Sequence, residues 1–200
     1  MHNETTHAHP AAGAHDGYAH GVLAARRAKD ELFEPSHQSP LPHERRHDFA
    51  GLVYFPPDAS YRLPELRLEP LHASGTAPFP IDTSDERSRT AYRLGRLRFT
   101  LAGRALTLTA YRVGEATSDA LFVPFRDATS GVETYGAGRY LDIEPEADGT
   151  YTLDFNEAYH PYCAYSDSYS CPLPPAENHL PVRIEAGERL GGIYRTETDS

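Results

Sequence analysis

The segment DFNEAYHPYCAYSDSYSCPLPP, residues 154–175, gathers carboxylates, an amide, two thiols and several phenols into one proline-broken run. Ordinary surface loops do not spend aromatic side chains this way. A phenol offers a ring for packing and a hydroxyl for hydrogen bonding, which suits a half-polar interior or a binding wall. Three chemistries are open to the run. Seven residues separate Cys163 from Cys171. That spacing matches no common zinc motif, and a tetrahedral site would need His160 or His179 to complete it, so no metal is expected. A nucleophilic Cys163 served by His160 has the right residue types, but nothing in the spacing fixes its geometry. The plainest reading is a pair of thiols or one disulfide. Prolines at 161 and 172 fold the loop back, which places the Cα atoms within the roughly 7 Å that a disulfide spans.

A second constellation is LFVPFRDATSGVETYGAGRYLDI, residues 121–143. On a strand over 138–143, Arg139 points the same way as Leu141 and Ile143. A guanidinium among apolar neighbours must be paired or stand at a cavity edge, because an unpaired buried charge is too costly. Asp154, Glu133 and Asp127 are the candidate partners, in that order. The GAG at 136–138 is too short for a phosphate loop, and no strand–loop–helix unit surrounds it. The chain also holds no Ser–His–Asp order, H-E-x-x-H pair or Walker loop.

Together the two blocks describe a cleft, built by residues 126–142 and 154–178, for a small polar or anionic molecule. Arg139 or Arg126 anchors the charge, with Asp127 and Glu133 beside them. Tyr135, Tyr159 and Tyr165 supply ring walls and hydroxyls, and Asp154, Asn156, Glu177 and Asn178 orient polar groups. A different class of reading makes the same cleft catalytic, with Glu133 or Asp154 as a general base whose pKa rises beside buried tyrosines. A third makes both networks purely structural. Nothing in the sequence names a cofactor.

The elements that must position these residues are mostly β. RLRFTLAGRALTLTAYR, 96–112, alternates Leu97, Phe99 and Leu101 with Arg96, Arg98 and Thr100, turns at Ala102–Gly103, and alternates again. That is a hairpin with one buried face. Further strands are expected at 62–69, 90–95, 120–125, 138–143, 150–156 and 181–186. A helix over about 18–33 places Tyr18, Val22, Ala25, Leu32 and Phe33 on one side, with Arg26, Arg27 and Asp30 mainly solvated. A second short helix is expected from Leu41 or Pro42 to Phe49, followed by a tight turn at 51–58. The fold class is mainly β: an antiparallel β-sandwich or partly open β-barrel with an N-terminal helical arm. One domain is expected over 17–195, with the arm at about 18–49 and the β-domain at about 51–190. Residues 1–16, with four histidines, read as a disordered tail.

Composition narrows the partners. The chain has 200 residues and a formal net charge of −10, from 29 acids against 19 bases. This argues against a general phosphate-backbone binder, although seven arginines face two acids within 85–112. Those arginines are expected to pair with acids elsewhere. All bases but Lys29 are arginine, a skew that points to genome composition more than to function. No run approaches the roughly 20 apolar residues that span a bilayer, and the N-terminus lacks a signal-peptide pattern. The expectation is a cytoplasmic protein with a small-molecule ligand and neither nucleic-acid nor membrane partners.

The segments RRAKDELF, SPLPHERRHDFAGLVYFPPD and YRLGRLRFTLAGRALTLTAYR resemble the bacterial and archaeal domain-of-unknown-function family 1684. The resemblance is most specific in the two blocks above and in the following AENHLPVRIEAGE, and covers about 24–190. It implies no activity. It does imply an asparagine where this chain has His160, which argues against His160 as ligand or base. The stretch around 74–89 departs from the pattern. Coincidence of the motif-rich blocks with the two polar constellations implies one shared site.

Overall fold

The computed structural model describes residues 12–34, 39–72, 75–115 and 119–191. After helix α1 (Ala12–Phe33) come ten strands: β1 (Val53–Tyr54), β2 (Arg62–Leu66), β3 (Leu68–Glu69), β4 (Phe79–Asp82), β5 (Ser88–Leu101), β6 (Arg104–Val113), β7 (Leu121–Phe125), β8 (Arg139–Ile143), β9 (Tyr151–Asp154) and β10 (Glu188–Arg189). A six-stranded sheet runs β3-β5-β6-β7-β8, with β4 also on β5, and two small sheets pair β2 with β9 and β1 with β10. All these pairings are antiparallel. The fold is mainly β, with antiparallel sheets that do not close into a barrel and one N-terminal helix. Among the described residues, no helix is long and apolar enough to cross a membrane.

The hairpin at the centre follows from its sequence. Leu97, Phe99, Leu101, Leu106 and Leu108 are buried, and they meet Val123, Leu141, Leu153 and Phe155 in the main core. Ala102 and Gly103 both take positive φ, 49° and 72°. That is the twist a two-residue hairpin turn requires. Most arginines on its polar side find acceptors: Arg93 meets Glu177, Arg98 meets Glu69, and Arg89 and Arg104 donate to the carbonyls of Ser170 and Pro181.

Several elements differ from expectation, each for a local reason. The helix begins at Ala12, so part of the stretch read as a disordered tail is helical; residues 1–11 lie outside the described residues. Its packed face is Tyr18, Val22, Arg26, Lys29 and Phe33, whereas Leu32 is 62% exposed. Arg26, expected in solvent, is only 8% exposed because its guanidinium donates to the carbonyls of Phe55 and Asn156. The expected second helix is a 3-10 turn, His43–Asp48. Strand β4 was not among the expected strands; it carries Pro80, pairs among the described strands only with β5, and sheet edges tolerate proline. Strands β1 and β10 are two residues each, too short to show alternation. Residues 181–186 form no strand: they run alongside the core without a strand partner of their own.

Strand β5 shifts register between Arg93 and Gly95, just before β3 pairs with it at Arg96 and Leu97. A Cβ at Gly95 would lie 2.6 Å from Leu68 Cγ and 2.7 Å from the Glu69 carbonyl oxygen. Gly95→Ala is therefore expected to lower urea stability by about 1–3 kcal/mol. An unchanged midpoint would mean that β3 is not held against the bulge.

Candidate functional site

Arg139 opens β8 and is fully buried. One of its terminal nitrogens donates to the carbonyls of Ala186 and Glu188, the other to the carbonyl of Ile184 at 2.9 Å and to Asp127 Oδ1 at 3.3 Å. Asp127 also accepts the Ile184 backbone N–H at 2.7 Å and the Thr129 hydroxyl at 2.9 Å. The guanidinium further lies over the Phe125 ring, 5.3 Å from its centre. The carboxylate partner is thus Asp127, third in the expected order. Asp154 instead accepts from Tyr18 Oη at 2.7 Å and from the Asn156 N–H at 2.9 Å. Glu133 pairs with Arg183 near the surface, with Arg189 at 4.0 Å. The ion pairs of the two candidate general bases run to other cations, Asp154 to Arg62 and Glu133 to Arg183 and Arg189. The pairing puts Asp127 rather than Asp154 or Glu133 against Arg139.

The two asparagines repeat the logic of Arg139. Asn178 is fully buried. Its Oδ1 accepts the Thr109 N–H, and its Nδ2 donates to the carbonyls of Thr109 and Pro124, at 2.7–2.8 Å. Proline has no N–H to continue the ladder, so the amide occupies a strand position between β6 and β7. Asn156 makes the same reciprocal pair with the backbone N–H and C=O of Asp58, at 2.9 and 2.8 Å. Glu177 accepts from Tyr111 Oη and Arg93. These residues are satisfied by the protein itself.

Glu188 is a second buried hub. Its carboxylate takes Lys29, the Tyr165 hydroxyl at 2.8 Å and the His160 backbone N–H at 2.7 Å. Burial, then the charges of Arg139 and Lys29, hold the His160 imidazole well below its usual range, so it is neutral. Its Nε2 accepts the Tyr135 N–H at 3.1 Å, which leaves the proton on Nδ1, 3.5 Å from Glu188 Oε2. Tyr135 and Tyr159 turn elsewhere: the Tyr135 hydroxyl toward the Cys163 carbonyl, and that of Tyr159 onto Asp142.

The cysteines are free of each other covalently and buried side by side, with the Cys163 N–H donating to Cys171 Sγ at 3.4 Å. A hydrogen bond from Cys171 stabilises the Cys163 thiolate and draws its pKa down to about 7 against the opposing effect of burial, while Cys171 is pushed up. Among the described residues, no three His, Cys, Asp or Glu side chains are grouped to hold a metal ion.

Three hollows border these networks. The first, of about 500 Å³, is walled by β4, the Leu173–Ala176 segment and Ala137, with Arg126 and His179 in its lining. Gly138, at φ +100°, sets its wall: a Cβ there would lie 2.5 Å from the Phe125 carbonyl oxygen and 3.0 Å from Arg126 Cγ. The second, about 520 Å³, is an aromatic groove with Phe122, Tyr140 and Tyr159 between Arg112 and Asp142. The third, about 190 Å³, lies beneath α1 between Arg26, Tyr54, Lys29 and Glu188. Of the residues read as ligand-binding, Arg126 alone lines the first hollow, Tyr159 the second, and Asn156 and Tyr159 the third. Sequence reasoning passed over Tyr54, Arg26 and Glu188. The signal present was α1's spacing of Tyr18, Val22, Arg26 and Lys29, which puts both cations on the buried face.

Arg139→Leu is expected to cost about 3–5 kcal/mol in urea unfolding, because it leaves Asp127 buried without its cation. A double-mutant cycle with Asp127→Asn should show coupling above about 1 kcal/mol, and coupling below about 0.5 kcal/mol would make the two residues independent. For His160 the native pKa is depressed, so the unfolded chain takes up a proton near pH 6.5 that the native state refuses. Its contribution is complete above that pH and falls as pH drops, by up to about 1.4 kcal/mol per unit. His160→Gln should flatten the stability curve between pH 6.5 and 5; parallel curves for the two proteins would contradict a neutral buried imidazole. Thiolate absorbance at 240 nm should titrate near 7, and Cys171→Ala should move the midpoint up toward about 8.5. An unmoved midpoint would mean that Cys171 does not stabilise the thiolate.

No curated protein matches the chain. Among solved structures, the solution NMR structure of an uncharacterized protein from Haloarcula marismortui is similar, at 43% identity and a TM-score of 0.64, covering 88% of this chain and 95% of that one. The family model described as protein of unknown function (DUF1684) matches residues 47–189, from just before β1 to the end of β10 and including both motif-rich blocks. The chain belongs to this family of proteins of unknown function, DUF1684.

Proposed function

We propose that this domain binds a small anionic ligand in the cleft between β4 and the Leu173–Ala176 segment, with Arg126 as the charge anchor. One observation carries the reading. Among the described residues, the Arg126 guanidinium makes no hydrogen bond or ion pair, yet it stands in the wall of a hollow of about 500 Å³. Arg139, the other candidate anchor, spends its donors on backbone carbonyls and Asp127. The volume suits a small molecule, and apolar walls with a few polar groups are the usual make-up of such sites. Phe79, Ile81, Leu173, Pro174 and Pro175 supply the apolar part. The acidic balance of the chain, −10, supports a small ligand over a nucleic-acid backbone. Neither Glu133 nor Asp154 lines this cleft, so nothing in its geometry favours catalysis by those carboxylates.

The probes are inorganic phosphate and succinate, titrated calorimetrically into the full chain, with glycerol as the uncharged control. Saturable binding of one anion is expected, and Arg126→Ala should weaken it by a charge-assisted hydrogen bond of about 1.5–3 kcal/mol, on the order of 10- to 100-fold. Equal affinity in the variant, or no saturable heat with either anion, would refute the assignment.

A further inference from the structure

The outer face of the main sheet is aromatic at β7 and β8, where a solvated face is ordinarily polar. Leu121, Val123, Leu141 and Ile143 turn into the core, so alternation sends Phe122, Tyr140 and Asp142 to the other side. Glu144 continues that row just past the end of β8. Phe122 pairs with Asp142 across the two strands, and Tyr159 bridges to Tyr140. The three rings meet at near right angles. Phe122 and Tyr140 stand 4.8 Å apart at 78°, Tyr140 and Tyr159 5.8 Å apart at 84°. These rings line the groove of about 520 Å³ together with Asp142 and Glu144. Both carboxylates are exposed, and Phe122 and Tyr159 are half-buried, so a ligand in the groove can reach all four.

Charge is unevenly spread along the groove. Among the described residues, neither Asp142 nor Glu144 forms an ion pair, and Asp142 accepts the Tyr159 hydroxyl. Two arginines also belong to the lining, but both are engaged away from β8. Arg112 pairs with Tyr92, and its guanidinium lies 4.7 Å from the centre of that ring. Arg89 comes from β5, with β6 and β7 between it and β8, and donates to the Ser170 carbonyl at 2.9 Å. The β8 end is left acidic and aromatic.

We propose that this end of the groove binds a small organic cation, an alkylated ammonium about the size of choline, between the rings of Phe122 and Tyr159 and the carboxylates of Asp142 and Glu144. Ring faces attract a cation and, unlike oxygen ligands, also shelter the alkyl groups around it. Tyr159 already serves a cation in this way, since the Lys29 ammonium of α1 lies 4.7 Å from its ring centre. That lysine is neutralised by Glu188 and so does not repel a second cation on the groove side. The Tyr159 hydroxyl holds the Asp142 carboxylate in place. Burial, then Asp142, raise this phenol far above its ordinary range, so it keeps the proton it donates. The net charge of −10 favours approach of a cation. The groove shares no lining residue with the Arg126 cleft.

The test is calorimetric titration of choline into the full chain at constant ionic strength, with neohexyl alcohol as the uncharged carbon isostere. Saturable choline binding about 10-fold tighter than that of the isostere is expected. Asp142→Asn combined with Glu144→Gln changes two exposed side chains and keeps an acceptor for Tyr159. It should leave the melting temperature unchanged while weakening choline by about 5-fold or more. Phe122→Leu keeps the apolar bulk and removes the ring, so it should shrink the preference for choline over the isostere. Arg126→Ala should leave choline binding intact, which keeps this result apart from that of the other cleft. No saturable binding, equal affinity for neohexyl alcohol, or a preference for choline that survives both groove variants would each overturn the proposal.

Discussion

The last stretch of the core, residues 184–188, hangs on one guanidinium. Arg139 donates to the carbonyls of residues 184, 186 and 188. These alternate along the chain, as the acceptors on one edge of a strand would. Asp127 completes the imitation by accepting the N–H of Ile184. Residues 181–186 carry inward apolar side chains, Val182, Ile184 and Ala186, which belong to the main core. They can be buried only if their backbone groups are satisfied, and among the described residues no neighbouring strand does it. The arginine–carboxylate pair takes the neighbour's place. That explains why a full charge is tolerated there: its donors replace a ladder, and its one carboxylate neutralises it.

The same device recurs where the sheet is interrupted. Pro124 cannot donate within β7, and β6 and β7 share a single paired position, Tyr111 with Phe122. Asn178 fills the gap with its amide, which offers one acceptor and two donors on the spacing of a peptide group. Asn156 does the same for the turn at Asp58. Fixing Asn178 also fixes Arg126, because the Arg126 N–H and C=O bond to the backbone of Asn178 and Leu180. The candidate cleft is therefore positioned by a residue that does not line it. Its guanidinium projects from a rigid backbone while remaining uncommitted, the arrangement a preorganised anion site needs.

These substitutions set the limit of what the sequence discloses. The hairpin of β5 and β6 is legible because alternation and a positive-φ turn are local properties. The face of β8 is legible for the same reason, and it correctly places Arg139 inside. The partner of Arg139 is not local. Asp127 lies on an irregular turn whose direction depends on Ser130 and Thr129, so the sequence does not rank it against Asp154 or Glu133. Residues 181–186 have the composition of a strand and the burial of one, yet among the described residues they pair with the side chains of Arg139, Asp127 and Arg104 and with the Ala128 N–H, and with no strand. The face of α1 was misjudged at Arg26 because helical periodicity sorts residues by hydrophobicity, and here a cation is buried against carbonyls and a ring.

Among the described residues two arginines are buried, Arg26 and Arg139, and Lys29 is half-buried beside them; the three are paired differently. Arg139 has Asp127 and three carbonyls. Lys29 has Glu188, which also draws in Tyr165 and the backbone of His160. Both are closed systems in which each charge meets its opposite, so removing either partner should act on stability. Arg26 has acceptors but no anion. It comes from α1, which lies outside the matched family segment at 47–189, and it presses a charge against a domain already neutral at that point. Desolvation lowers its pKa, and the surrounding acids offset this only from a distance. Burial of α1 therefore carries an electrostatic penalty that the protein's own contacts do not remove.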